Sequence, residues 1–171
     1  MKILVTYFGP FGGRTTNASK EVVSLLSDYQ NKELPVSWLK IESIIDEILS
    51  SDLDYLFLIG EAGSYQEITV ERTAHNICSG KDNYGFIKDN EPIANGPEEL
   101  KTKFDLSDIQ HRISDNAGKY LCNYTYYLAL SKAKNTKVIF IHLPYIKKKG
   151  PNSLNNLKND LFNIIKTLTT I

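Results

Sequence analysis

The stretch KVIFIHLP, from Lys137 to Pro144, decides the fold class. Within it, the run of β-branched and aromatic apolar residues at Val138–His142 is too short for a helix and is typical of a buried β-strand. Similar short runs, which we also interpret as strands, occur at Lys2–Thr6, Val36–Ile41, Tyr55–Ile59 and Ile68–Ala74. Several of them are separated by segments with a different periodicity.

Those intervening segments repeat apolar residues at helical spacing. They are Ser19–Leu26, Ser43–Leu49, Gly118–Lys134 and Leu154–Leu168. Strands alternating with amphipathic helices predict an α/β protein, which we expect to be a three-layer α/β/α sandwich with a central, mainly parallel twisted sheet. We expect one domain over residues 1–171. The segment Lys81–Leu106 is rich in Gly, Asn, Asp and Pro, which favours an extended surface segment over packed core.

Composition excludes several classes of protein. The 171 residues include 20 Lys plus Arg and 20 Asp plus Glu, so the formal net charge is zero and a nucleic-acid partner is not expected. No apolar run approaches the roughly twenty residues of a spanning helix, so no membrane partner is expected either. The first residues resemble a strand more than a signal peptide, and the two cysteines are too few for a disulfide framework. We therefore expect a cytoplasmic protein.

In an open α/β sheet the functional crevice lies beyond the carboxyl ends of the strands. The glycine-rich loop after the first strand, Phe8–Gly13, matches neither a Walker loop nor a dinucleotide fingerprint. His75 and Cys78 are three residues apart, but no further ligands at suitable spacing accompany them. We therefore predict no cofactor and no metal.

Three residues near predicted strand and helix ends could carry nucleophilic chemistry. Cys122 lies early in a predicted helix, where the helix dipole and free N–H groups would lower the thiol pKa. His142 closes the predicted strand at Val138–His142 and could serve as a general base, and Glu71 could orient it. Each residue alone has a plainer interpretation: a core cysteine, a structural histidine or a solvated carboxylate.

Four ordered motifs resemble those of the pyroglutamyl-peptidase I family of cytosolic cysteine peptidases. VTYFGPFGG (Val5–Gly13) is similar to the family's VTGFEPFGG, and GEAGSYQEITVER (Gly60–Arg72) to GxAGGRxxIxxER. SDNAGKYLCN (Ser114–Asn123) resembles the nucleophile segment S-x-AGxYLCN, and FIHLPY (Phe140–Tyr145) resembles FIHVPY. The resemblance covers nearly the whole chain in the same order.

The resemblance implies a Glu71, Cys122 and His142 triad that removes an N-terminal pyroglutamyl residue from peptides through a thioester acyl-enzyme. It also implies a pocket for the flat pyroglutamyl lactam, with apolar walls and with backbone groups of the Gly60–Gly63 loop reading the lactam amide. The residues assigned to this pocket are Phe8, Phe11, Gly60, Glu61, Tyr120 and Leu121. Members of the family assemble into dimers or tetramers, so a homo-oligomer is a further expectation.

Several positions depart from the family motifs. Tyr7 and Gly9 replace a glycine and a glutamate, Tyr65 replaces an arginine, and Lys81 is the nearest substitute for an arginine in a shortened segment. Two alternatives therefore stay open: a divergent homologue with altered specificity or little activity, and a non-enzymatic small-ligand binding protein that uses Phe8 and Phe11. Alkylation of Cys122 much faster than of Cys78 would indicate the enzyme.

Overall fold

A computed structural model describes residues 1–170. The helices are α1 (Ala18–Val23), α2 (Ile41–Ser50), α3 (Leu121–Lys132) and α4 (Leu154–Thr169). The strands are β1 (Ile3–Phe8), β2 (Gln30–Leu34), β3 (Tyr55–Glu61), β4 (Thr69–Glu71), β5 (Thr73–His75), β6 (Cys78–Lys81), β7 (Ile87–Glu91), β8 (Glu99–Lys101), β9 (Arg112–Ser114) and β10 (Lys137–Leu143).

Six strands form the central sheet in the order β2-β1-β3-β10-β4-β9. The pairings among β2, β1, β3 and β10 are parallel, and β4 pairs antiparallel with β10. The edge pair β4 and β9 is again parallel. The expectation of a mainly parallel central sheet is therefore confirmed.

Apolar clusters cover both faces of this sheet. On one face α2 and α3 pack their buried residues, such as Ile45 and Leu128, against Leu56, Leu58 and Phe140. On the other face α1 and α4 bury residues against Val5 and the alternate positions of β3 and β10. Alternation along each strand sends successive side chains to opposite faces, which produces the expected α/β/α layers.

The order of the strands creates a crevice between β1 and β3. From β1 the chain moves outward to β2, and then it returns past β1 to β3 and later β10. The β1–β3 pairing ends at Thr6 and Leu58, so the carboxyl ends of these two strands separate beyond that point. Such a switch point is where ligands bind in open α/β sheets.

The predicted strand at Val36–Ile41 is wrong. The strand is instead Gln30–Leu34, a polar edge strand in which only Leu34 is buried, so its sequence lacks the apolar alternation that marks a strand. The apolar residues after it are buried by packing outside the sheet. Trp38 donates from Nε1 to the carbonyl oxygen of Gly80 and lies edge-on to the Tyr120 and Tyr124 rings.

The predicted strand at Ile68–Ala74 divides into β4 and β5, which belong to different sheets. Strand β5 pairs with β8, and β6 pairs with β7 in a second small sheet. The chain turns at Arg72, whose backbone N–H donates to Ser114 and whose carbonyl oxygen accepts from Thr102. The segment 81–106 contributes β7 and β8 to these two small sheets and is largely exposed, as expected.

Four helices were predicted from periodicity, and all four are confirmed with ends that differ by a few residues. None of the helices in residues 1–170 is long and apolar enough to cross a membrane.

Candidate active site

Cys122 is the second residue of α3, and a buried asparagine beside it fixes the start of that helix. Asn123 donates from Nδ2 to the carbonyl oxygens of His75, at 2.8 Å, and Ile77, at 2.9 Å. Its Oδ1 accepts from the backbone N–H of His75 at 2.9 Å. All the hydrogen bonds of a fully buried amide thus join the first turn of α3 to β5 and the residues that follow it.

The Cys122 sulfur packs directly over the backbone of β3. A methyl group on Gly60 would lie 2.8 Å from Cys122 Sγ and 2.7 Å from Cζ of Phe140. Gly60 is also the residue of β3 that stands beside His142 of β10 in the sheet. The thiol therefore lies over the end of the β3–β10 pair, on the face that carries Phe140.

The expectation of a lowered pKa for the Cys122 thiol is wrong. The residue lies at the predicted helix start, but burial raises the pKa of its thiol to about 12, and the nearby Glu71 charge acts in the same direction. Removal from water disfavours the thiolate more than the helix N-terminus favours it. In this structure the thiol is protonated near neutral pH.

His142 and Glu71 form a buried pair on neighbouring antiparallel strands. Nδ1 of His142 lies 2.8 Å from Glu71 Oε1, and the two side chains are 5% and 0% exposed. Glu71 stands opposite Phe140 in the register, so it is the diagonal neighbour of His142 on the same face. An ionised carboxylate can only accept, so Nδ1 carries the proton and Nε2 is free to act as a base.

Tyr65 approaches the same carboxylate oxygen. Its hydroxyl lies 3.0 Å from Glu71 Oε1 and 3.0 Å from the carbonyl oxygen of Asn116. The other carboxylate oxygen, Oε2, has no hydrogen-bond partner among residues 1–170. Oε1 of Glu71 therefore carries the hydrogen bonds of this buried carboxylate.

The four apolar residues predicted to form the pocket lie in the same cluster as Cys122. Phe8 and Leu121 are fully buried in it, and Phe11 and Tyr120 pack against it half-buried. The rings of Phe11 and Tyr120 are 5.8 Å apart between centroids. The Tyr120 hydroxyl donates to the carbonyl oxygen of Lys81 at 2.7 Å, which holds the ring against the β6–β7 hairpin.

Glu61 is the last residue of β3, next to Gly60, but its carboxylate binds residues of the loop between β1 and α1 and of the start of α1. Glu61 Oε2 accepts from the backbone N–H of Ala18 at 2.7 Å, and Oε1 lies 3.2 Å from Arg14 Nε. Arg14 also stacks over the Tyr145 ring, 3.9 Å from its centroid. These contacts hold the loop between β1 and α1 against the ends of β3 and β10.

The departures from the family motifs lie at different places in the structure. Tyr7 is on the sheet face opposite Phe8, away from Cys122. Gly9 lies beside Glu33, whose Oε1 would meet a methyl group on Gly9 at 2.7 Å. Lys81 is exposed and contributes its carbonyl oxygen to Tyr120. Only Tyr65 contacts the predicted triad directly.

No group of three or more His, Cys, Asp or Glu residues within the described part of the chain is arranged to hold a metal ion. His75 and Cys78, the pair considered from the sequence, are engaged elsewhere: His75 Nε2 lies 2.7 Å from the Asp115 carbonyl oxygen, and Cys78 Sγ faces that of Glu91.

Sequence reasoning missed the supporting residues of the site. Asn123 stands next to Cys122, yet a single asparagine in a helical pattern gives no sign of its three partners. Tyr65 and Arg14 lie in loops, where periodicity carries no information. Only the tertiary structure brings them together with Glu71 and Glu61.

Comparison with protein families gives a match over most of the chain. The family model described as pyroglutamyl peptidase matches residues 1–156. The pyrrolidone-carboxylate peptidase of Fusobacterium nucleatum is 35% identical, over 98% of this chain and 89% of that protein. That of Thermosipho africanus is also 35% identical, over 98% of this chain and 93% of that protein.

Solved structures agree with the sequence relatives. Pyrrolidone carboxyl peptidase from Thermus thermophilus aligns with a TM-score of 0.84 at 28% identity, covering 93% of this chain and 96% of that one. Pyroglutamyl peptidase I from Bacillus amyloliquefaciens aligns with a TM-score of 0.87 at 26% identity, covering 99% and 95%. The resemblance found in the four motifs is thereby confirmed, and the chain belongs to the pyroglutamyl peptidase family.

Proposed function

We propose that this protein is a cysteine peptidase that removes an N-terminal pyroglutamyl residue from peptides. The observation that carries the proposal is the buried His142–Glu71 pair at the end of β10, with the Cys122 thiol over Gly60 beside it. A thiol, an imidazole and an orienting carboxylate are the parts of a nucleophilic acyl-transfer site. Membership of the pyroglutamyl peptidase family supports the same activity.

The proton on Cys122 determines how the reaction begins. Because burial holds the pKa of the thiol at about 12, the attacking sulfur must lose its proton as it attacks. His142 Nε2 takes that proton, and Glu71 stabilises the imidazolium through Nδ1. The buried pair therefore supplies the base that the raised pKa of the thiol requires.

Acyl transfer then proceeds in two halves. Cys122 Sγ bonds to the carbonyl carbon that follows the pyroglutamyl ring, and His142 gives its proton to the departing amine as the C–N bond breaks. A water molecule, deprotonated by His142, attacks the thioester and releases pyroglutamate and the free thiol. The proposed hydrogen-bond donors to the reacting oxygen are backbone N–H groups in the first turn of α3.

The proposed pocket for the lactam ring lies in the crevice between β1 and β3. Phe8, Phe11, Tyr120 and Leu121 supply apolar contacts. The backbone of Gly60 and Glu61 supplies polar groups, because β1 no longer pairs with β3 beyond Leu58. The Glu61 carboxylate takes no part, since it is occupied by Ala18 and Arg14. Such a slot admits an uncharged lactam and penalises the ammonium group of an ordinary N-terminus.

The cytoplasm is the compartment that suits this chemistry. Cys122 and Cys78 are both free thiols, and a reducing environment keeps the nucleophile available. We propose cytoplasmic peptides with an N-terminal pyroglutamate as the substrates.

The test is release of a fluorescent amine from a pyroglutamyl amide under reducing conditions. Wild type should release the amine, Cys122→Ala should lose at least about a thousandfold in kcat/KM, and a prolyl amide should be a poor substrate. Cys78→Ala is the matched control, because it removes the other buried thiol and should retain the wild-type rate within about twofold. Equal cleavage by wild type and Cys122→Ala would refute the proposed mechanism, and no cleavage by folded wild type would refute the substrate.

A further inference from the structure

We propose that Tyr65 is a positioning residue of this site, which donates a hydrogen bond to Glu71 and so sets the proton affinity of the Glu71–His142 pair. The inference rests on the proposed function, in which that pair is the general base. In the motif that Gly60–Arg72 resembles, arginine stands where this chain has Tyr65.

The hydroxyl of Tyr65 has one proton and two acceptors at 3.0 Å, Glu71 Oε1 and the Asn116 carbonyl oxygen. The carboxylate is the stronger acceptor, because it is charged, fully buried and without a partner for Oε2 in residues 1–170. The Asn116 carbonyl oxygen has another donor, the Ser114 hydroxyl at 3.3 Å. The proton of Tyr65 therefore belongs to Glu71.

The Tyr65 ring is held in place from two sides. It lies edge-on to the His142 ring, with centroids 5.5 Å apart and an interplanar angle of 86°. The Arg112 guanidinium stacks over its face, 4.8 Å from the centroid. These contacts fix the position of the Tyr65 ring, so the hydroxyl can bond to Glu71 without a further loss of side-chain freedom.

The hydroxyl stays protonated at every pH at which the enzyme would work. Burial raises the pKa of Tyr65, and the Glu71 charge raises it further. Tyr65 is thus a permanent donor, unlike a group that titrates together with the imidazole.

The effect on the pair has a definite sign. A donor to Glu71 stabilises the state in which the carboxylate is ionised and the imidazole neutral. Protonation of the pair cancels the negative charge that the donor stabilises, so the donor makes proton uptake harder. Without the hydroxyl, the pair takes up a proton at higher pH, and the base is lost sooner as the solution is acidified.

Tyr65→Phe is the test, because it removes only the hydroxyl and retains the ring contacts. We expect kcat to fall about tenfold with KM changed less than about twofold, because Glu71 loses the hydrogen bond that holds its carboxylate beside His142. We also expect the acid-side midpoint of the kcat/KM profile to move upward by about one pH unit. Tyr127→Phe is the matched control, because it removes a tyrosine hydroxyl that is bonded to the carbonyl oxygen of Pro97 and not to Glu71 or His142, and its midpoint should match wild type.

A second measurement separates this inference from the proposed function. The chain has only three histidines, so the ring resonances of His142 can be assigned and titrated by NMR whether or not the protein cleaves a pyroglutamyl amide. The same upward shift of the His142 midpoint in Tyr65→Phe supports the inference even if wild type proves inactive. An unchanged His142 midpoint in Tyr65→Phe overturns the inference. This holds even if Tyr65→Phe has lost activity, because that loss would then come from a structural defect and not from a changed proton affinity.

Discussion

At Gly60 the nucleophile packs directly against the sheet. A methyl group there would lie 2.8 Å from Cys122 Sγ and 2.7 Å from Phe140 Cζ, and neither neighbour has free space because both belong to the packed core. We therefore expect Gly60→Ala to displace the sulfur, to lower kcat/KM by at least about a hundredfold and to destabilise the fold by about 1–3 kcal/mol. Amide hydrolysis and urea denaturation measure the two effects.

Gly150→Ala is the matched control for Gly60→Ala. Gly150 is exposed in the loop before α4, has φ of 88° and has open space around its Cα. Alanine there strains the backbone and costs about 1 kcal/mol of stability without touching the site. If Gly60→Ala were as active as Gly150→Ala, the close packing of Cys122 against β3 would be wrong.

The first turn of α3 depends on Asn123, which connects the helix carrying Cys122 to the strand that follows Glu71. Asn123→Ala would remove the side-chain partner of one backbone donor, the His75 N–H, and of two backbone acceptors, of which the His75 carbonyl oxygen keeps the Ile77 N–H. We expect it to lower the free energy of unfolding by about 3 kcal/mol and to reduce kcat, because Cys122 is no longer held in register with His142. Denaturation and steady-state kinetics check both expectations.

Thr125 provides the comparison on the same helix. It is fully buried like Asn123, but its hydroxyl has no hydrogen-bond partner in residues 1–170. Thr125→Val retains the shape and removes an unpaired polar group, so it should be neutral or stabilising by about 1 kcal/mol. If Thr125→Val lost as much stability as Asn123→Ala, any change in this part of α3 would be destabilising. The three hydrogen bonds of Asn123 would then not explain the loss in Asn123→Ala.

Elements with a strong periodic pattern could be predicted from the sequence, and those without one could not. The strand ending at His142 and the four helices were predicted because burial on one or both faces imposes a visible pattern. The edge strand β2 could not be predicted, because a strand at a water-exposed edge can be polar and then shows no apolar alternation. The strand predicted around Trp38 is wrong because this residue is buried by Tyr120, Tyr124 and the β6–β7 hairpin and not by pairing within a sheet.

The same limit applies to the site. Cys122, His142 and Glu71 could be proposed because each has a reactive side chain near the end of a helix or strand. The resemblance of the four motifs to the family then assigned the three residues to one triad. The protonation state of Cys122 could not be predicted, because it depends on how much water the folded core leaves at the sulfur. Tyr65 could not be assigned a role either, because its partner Glu71 is positioned by a strand pairing that no local pattern encodes.

Across the whole molecule, burial keeps several acidic groups protonated. Burial raises the pKa of Cys122 and of Tyr120 to about 12, and it also raises those of Cys78 and Tyr126. Each of these groups gives up its proton at lower pH in the unfolded chain than in the folded one. The free energy of unfolding is therefore not reduced by these groups at neutral pH. It falls as the pH rises through the alkaline range, because the groups ionise in the unfolded chain before they ionise in the folded one.

Cys122→Ala measures the part of this alkaline loss that comes from the nucleophile. An unfolded thiol ionises near pH 9, so between pH 8 and pH 10 wild type should lose about 1 kcal/mol more unfolding free energy than Cys122→Ala, under reducing conditions. The cavity left by alanine adds a cost that does not vary with pH and therefore cancels in the comparison. Equal losses in urea denaturation at the two pH values would mean that the folded site gives up its proton at the same pH as the unfolded thiol, so that burial does not raise the pKa of Cys122. The raised pKa that requires His142 as the base for Cys122 would then be wrong.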